Sequence, residues 1–177
     1  MNKILLPLTA VALCFTAQQA MAATSETSGQ AKAKIIEPVT IAAVTAKPMN
    51  FGTMLKPDEN YTVLLNTSSA RTCTDADWCV NDNNNTPTAG EFTITSGEAR
   101  SATITIPTGL TITDAGAVSA VKYKLGASGT ETAATGAAQA ISLASGSQTL
   151  YVGGTLTVTP SATVGEHVGT YTVRVDY

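Results

Sequence analysis

The chain has 177 residues, with ten Lys and Arg against thirteen Asp and Glu, a formal net charge of −3 and 13% charged residues. That weak, mildly acidic balance excludes the clustered-cation footprint of a nucleic-acid binder, so no nucleic acid is expected among its partners. Aromatics are only 5% of the chain, while small and β-branched residues abound, a mixture that suits closely spaced sheets better than helices.

Residues 1–22, MNKILLPLTAVALCFTAQQAMA, are expected to be a cleavable signal peptide. Lys3 supplies the positive start, Ile4 to Phe15 a short apolar run, and Ala20-Met21-Ala22 the small-residue cleavage site. The run is too short to span a bilayer, which takes about 20 residues. Leu13 stands before Cys14 where a lipidation site would place a small residue, so Cys14 reads as an ordinary signal-peptide cysteine. No later segment is apolar enough to form a membrane span. The expected route is through the periplasm to the cell surface, a fimbrium or the medium. Without Lys3, nine cations face thirteen acids, and the remainder is long enough for one domain with a substantial core.

Residues 23–30 are small, polar and unpatterned, and read as a flexible extension. A single domain is expected over 31–177. It opens on AKAKII, where Ala31, Ala33 and Ile35 alternate against Lys32 and Lys34, the period of a strand. Pro38 interrupts, and Val39 to Val44 resumes in extended, β-branched style. Phe51-Gly52 reads as a buried anchor beside a kink, and Tyr61 to Asn66 as a further strand.

Thr67 to Gly90 is polar and reads as a surface loop. It holds Cys73 and Cys79, which an oxidising compartment should join as a staple, since C-x-x-C redox spacing is absent. Trp78 is expected to pack beneath this loop. Asp75, Asp77 and Asp82 form a weak calcium candidate. They lack an EF-hand pattern, so a solvated loop, with no metal and no cofactor, is the expectation.

Strands follow at Glu91 to Thr95, Ser101 to Ile106 before Pro107, Leu110 to Thr113 and Val121 to Leu125. Residues 126–140 are low in complexity and glycine-punctuated, hence a loop. QAISL, TLYV and TLTVT continue the series, with Gly153-Gly154 read as a turn between the last two. The chain closes on GTYTVRVDY. No segment holds a helical period, so the fold class is all-β, a sandwich or barrel. Of catalytic apparatus there is little. His167 sits alone in the turn-like GEHVG and carboxylates scatter through loops, so catalytic residues are none and the protein is not expected to be an enzyme.

Two regions carry a family resemblance. AKAKIIEPVTIAAVTAKPMNFGTM and LYVGGTLTVTPSATVGEHVGTYTVRVDY resemble the two ends of a bacterial family, domain of unknown function 4402. Its members look like an alternating Ala/Ile strand, a proline-containing strand and a Phe-Gly pair at one end. At the other they have a Gly-Gly turn, a long strand and a terminal strand ending in tyrosine. The same C-terminal layout resembles subunits of chaperone–usher pili, with Tyr171, Val173, Val175 and Tyr177 on one face and Thr172, Arg174 and Asp176 on the other. That likeness implies an immunoglobulin-like, pilin-like β-sandwich with an open groove along its terminal strand. A periplasmic chaperone fills the groove first, then the extension of the next subunit, delivered by an usher. Unlike a pilin extension, residues 23–30 are polar. Ala31, Ala33 and Ile35 are then the donor-strand candidates, with strand A beginning at Val39; alternatively AKAKII is itself strand A and the domain is complete. Two functions follow. One is a structural cell-surface subunit, forming a homopolymer or joining other pilus subunits by donor-strand exchange. The other is a self-contained secreted module binding a glycan, a surface partner or calcium.

Overall fold

A computed structural model describes residues 30–177. The expected signal peptide, and the polar extension up to residue 29, lie outside the described residues. The chain divides into two units, Met1–Lys34 and Ile35–Tyr177. Of the first, residues 30–34 are described; they are exposed and form no strand.

The second unit is all-β. Its strands among the described residues are β1 (Thr40–Ala43), β2 (Thr53–Met54), β3 (Tyr61–Leu65), β4 (Arg71–Cys73), β5 (Cys79–Val80), β6 (Gly90–Ser96) and β7 (Arg100–Thr105). After them come β8 (Leu110–Ile112), β9 (Gly116–Leu125), β10 (Thr132–Ala133), β11 (Gln139–Leu143), β12 (Gly146–Val158) and β13 (Arg174–Asp176). The one helical piece is a 3-10 turn at Ala76–Trp78. All pairings are antiparallel.

β12 is the spine of an eight-stranded sheet. One of its edges pairs with β9. The other serves β6 from Gly146 to Val152 and then β3 from Gly154 to Val158. β1 extends the sheet beyond β6 and β4 beyond β3, while β8 and β10 flank β9. A smaller sheet, in the order β11-β7-β13, packs on the large one. Alternation decides which side chains meet: Tyr61, Val63 and Leu65 point inward from β3, and Ala102, Ile104 and Ile106 from β7 and its end. With Leu150, Val152 and Leu156 of the spine they form one core between the sheets, a β-sandwich.

Several expectations need correcting. Gly153-Gly154 is no turn but lies inside β12, the longest strand. Its bareness is used for close approach: a Cβ at Gly153 would collide with the carbonyl of Leu65 and lie 2.9 Å from the carbonyl carbon of Asn66. There one edge of β12 changes partner from β6 to β3, and the opposite ladder with β9 slips register. The extra β9 residue falls at Ala120–Val121, where Ala120 takes φ 46°, and this bulge turns both Val118 and Val121 inward.

The 67–90 loop is not plain coil, since it carries β4, the 3-10 turn and β5, and it buries Thr67 and Ala89. The nine-residue terminal pattern yields only a three-residue strand. In the register Arg174↔Thr105, continuation would set Thr172 opposite Pro107, which has no N–H to give. Ala31–Ile36, which alternates like a strand, belongs to none of the described strands.

Candidate functional site

The best-organised polar region is the crown over one end of the sandwich, built from residues 50–90. Phe51 anchors it in the core, and Gly52 turns away with φ 79°. The Arg71 guanidinium lies beside that glycine: Nη1 donates to the carbonyls of Phe51 and Thr53, both at 3.1 Å, and Nη2 to Val80 at 2.9 Å. One planar fork thus fastens β4 to both strands of the β2–β5 ladder. Behind it Asn50 Nδ2 donates to Asn85 Oδ1 at 2.7 Å, Asn85 Nδ2 to the Thr53 hydroxyl at 3.1 Å, and that hydroxyl to Asp82 Oδ2 at 2.9 Å.

Cys73 and Cys79 are disulfide-bonded, with Cα atoms 6.4 Å apart. Trp78, next to the bridge, stacks on Tyr61 with ring centroids 5.7 Å apart and planes 22° from parallel. It packs beneath the loop as expected. Burial raises the Tyr61 pKa, against a smaller opposing pull from Arg71. The outer surface of the crown has a shallow depression lined by Arg71, Cys73, Ala76, Cys79, Asn81 and Pro87.

Two of the three aspartates, Asp75 and Asp82, are tied to their own turns through their carboxylates. Asp75 caps the 3-10 turn by accepting from the Asp77 N–H at 3.0 Å. Asp82 accepts from the Asn84 N–H at 2.9 Å, and this bond with the Thr53 hydroxyl holds its carboxyl below the usual value. Among the described residues no group of three or more His, Cys, Asp or Glu side chains is placed to hold a metal ion. His167 uses Nε2 on the Thr163 carbonyl at 2.9 Å.

Sequence reasoning missed Arg71, Asn50, Thr53 and Asn85. The partners named above lie 9 to 35 positions away, a separation at which no local pattern marks the contact. Glu131 was missed for the same reason. It accepts from the N–H and hydroxyl of buried Thr67 at 3.1 and 3.0 Å and pairs with Lys122 at 3.3 Å. Burial alone would raise its pKa, but these bonds outweigh it and the net shift is downward.

The terminal segment is placed differently. Tyr171 meets Phe92 edge-on at 5.8 Å, and its hydroxyl lies over Gly90, where a Cβ would collide with it. Burial pushes its pKa up to about 12. Val173 and Val175 pack against the core beside it. Tyr177 leaves that face: it is 59% exposed, with the Arg100 guanidinium 5.4 Å from its ring centre. Ala31 and Ala33 are exposed, and Ile35, at 97% exposure, packs against none of these residues.

Residues 39–177 match a family described as Domain of unknown function (DUF4402). No curated protein and no solved structure matches the chain.

Proposed function

The chain belongs to the DUF4402 family, and from that premise we propose that it is a non-enzymatic structural subunit of the cell surface, pilin-like and assembled by strand addition. One observation carries the reading: Ala31–Ile36 alternates like a strand yet belongs to none of the described strands, and its largest apolar side chain, Ile35, stands almost wholly in water. An exposed isoleucine in an alternating segment outside the described strands suits insertion beside another chain's sheet. There the backbone supplies hydrogen bonds and every second side chain is buried.

Burial of one isoleucine contributes about 1.5–3 kcal/mol, so a homopolymer or a mixed fibre would gain at each junction. The disulfide fits passage through an oxidising periplasm. A chaperone and an usher are the partners this assembly needs, because unpaired strands left waiting aggregate. The commitment of His167, Asp75 and Asp82 to local hydrogen bonds supports a role without catalysis.

Size-exclusion chromatography and electron microscopy of wild type and Ile35→Asp test the reading. Wild type should form oligomers or fibres. The variant should stay a folded monomer, because each junction would bury an unpaired carboxylate at a cost of several kcal/mol. A wild type that remains a stable monomer beside its native neighbours would overturn the assembly reading and leave the self-contained binding module.

A further inference from the structure

Two stretches of the sequence share one five-residue form, Asp58-Glu59-Asn60-Tyr61-Thr62 and Asp82-Asn83-Asn84-Asn85-Thr86. Each contains Asn-x-Thr without proline at x, the acceptor pattern of N-linked glycan. Each also carries an acid two places before the asparagine, the addition that bacterial transferases require, where a carboxylate can pair with a cationic side chain of the enzyme. Asn66-Thr67-Ser68 has the short pattern only, with Leu64 where the acid would stand. The fold separates the three. Asn66 Oδ1 accepts from the N–H groups of Ser68 and Ala70, both at 2.9 Å, and Thr67 is buried. Asn60 stands at the mouth of β3, but the next two residues belong to that strand: Tyr61 is in the core and Thr62 is laddered to Thr157. Residues 82–86 lie outside every described strand. There the Asn85 N–H donates to the Asp82 carbonyl at 3.2 Å, closing a β-turn with exposed Asn84 at its third position.

We propose that Asn84 is a glycan acceptor in the folded protein, and that its co-substrate is an oligosaccharide carried on a polyprenyl diphosphate. In the transfer Asn84 Nδ2 attacks C1 of the first sugar. The C1–O bond breaks as the N–C1 bond forms, the diphosphate leaves with the electron pair, and one amide proton passes to a base of the transferase. The turn is built for presentation. Its root is fixed, because the Asn85 side chain bonds to Asn50 and Thr53. Its tip is free, because the Asn84 carboxamide and the hydroxyl of exposed Thr86 bond to no described residue. Asp82 is half-buried and accepts from the Asn84 N–H and the Thr53 hydroxyl. A carboxylate offers about four lone-pair sites, so acceptor capacity remains for a cation of the enzyme. The site is independent of assembly. It belongs to the same oxidising compartment that the disulfide fits.

Transfer in vitro tests the site. The folded full chain is incubated with a bacterial oligosaccharyltransferase and its lipid-linked oligosaccharide, and the modified asparagine is mapped by mass spectrometry. Synthetic peptides of residues 56–64 and 80–88 are treated alongside. Both peptides should accept, since both carry the five-residue form. The folded chain should gain one oligosaccharide, on Asn84, with Asn60 more than about tenfold behind because its use waits on the opening of β3. Asn84→Gln and Thr86→Ala should each abolish the gain. Asp82→Asn should weaken transfer in the folded chain and in the 80–88 peptide alike, which separates recognition of the acid from damage to the turn. A peptide 80–88 that is refused would overturn the proposal, as would a folded chain that takes no glycan while the peptide does. Modification of Asn60 in preference to Asn84 would overturn it too. Full transfer to Asp82→Asn would strike Asp82 from the site.

Discussion

Arg71 shows how much a single side chain contributes at the margin of the core. The crown strands β2 and β5 have two residues each, too few to hold together alone. Three carbonyls there are satisfied by one guanidinium. Arg71→Ala should remove the charged donor that these three carbonyls share and cost on the order of 3 kcal/mol, read as a lower urea midpoint. Arg71→Lys keeps the charge but loses the planar fork, so it should recover only part of the loss. Equal stability of Arg71→Lys and wild type would mean that charge, not geometry, is what the crown needs. The cysteines and Trp78 were legible because oxidation and packing follow from residue type and compartment. Arg71 was not, because an arginine in a polar loop looks the same whether it is solvated or clamps a backbone 20 positions away.

At the scale of elements, the strands with clean alternation were the readable ones. Tyr61–Leu65 and Arg100–Thr105 bury every second residue, and that pattern is local. β12 was unreadable because Gly-Gly serves two opposite purposes, a turn or a close backbone approach, and only the distant partner distinguishes them. At Gly153 that partner is the Leu65–Asn66 backbone; at Gly154 the nearest atom is the Val118 side chain, 2.8 Å from a built Cβ. A side chain can rotate, whereas backbone in a ladder cannot. Gly153→Ala should therefore destabilise by about 2–4 kcal/mol and Gly154→Ala by clearly less, measured by chemical denaturation. The reverse order would show that β12 relieves strain by sliding rather than by side-chain adjustment.

For the whole molecule, the terminal segment decides how the two sheets close on each other, and Tyr171 is its deepest aromatic. The ring spans the gap to Phe92, and the neutral phenol is what the site accepts, since its pKa stands at about 12 against 10.0 for an ordinary tyrosine. The folded value is raised, so the contribution of Tyr171 is complete below pH 10 and declines as pH rises from there toward about 12. In that window the unfolded chain loses its proton and the folded chain resists doing so. Two units correspond to about 2.7 kcal/mol at the upper end. Tyr61 and Tyr123 are raised by burial as well, so the protein should weaken in alkali even without Tyr171. The share belonging to Tyr171 is isolated by Tyr171→Phe, which keeps the ring against Phe92 and removes the titrating proton. Urea midpoints from about pH 8 to about pH 11 should fall steeply for wild type and less steeply for the variant, with the two close together at the lower end. Parallel curves would place the Tyr171 hydroxyl in water and leave the segment from Gly169 to Val173 unattached to the large sheet.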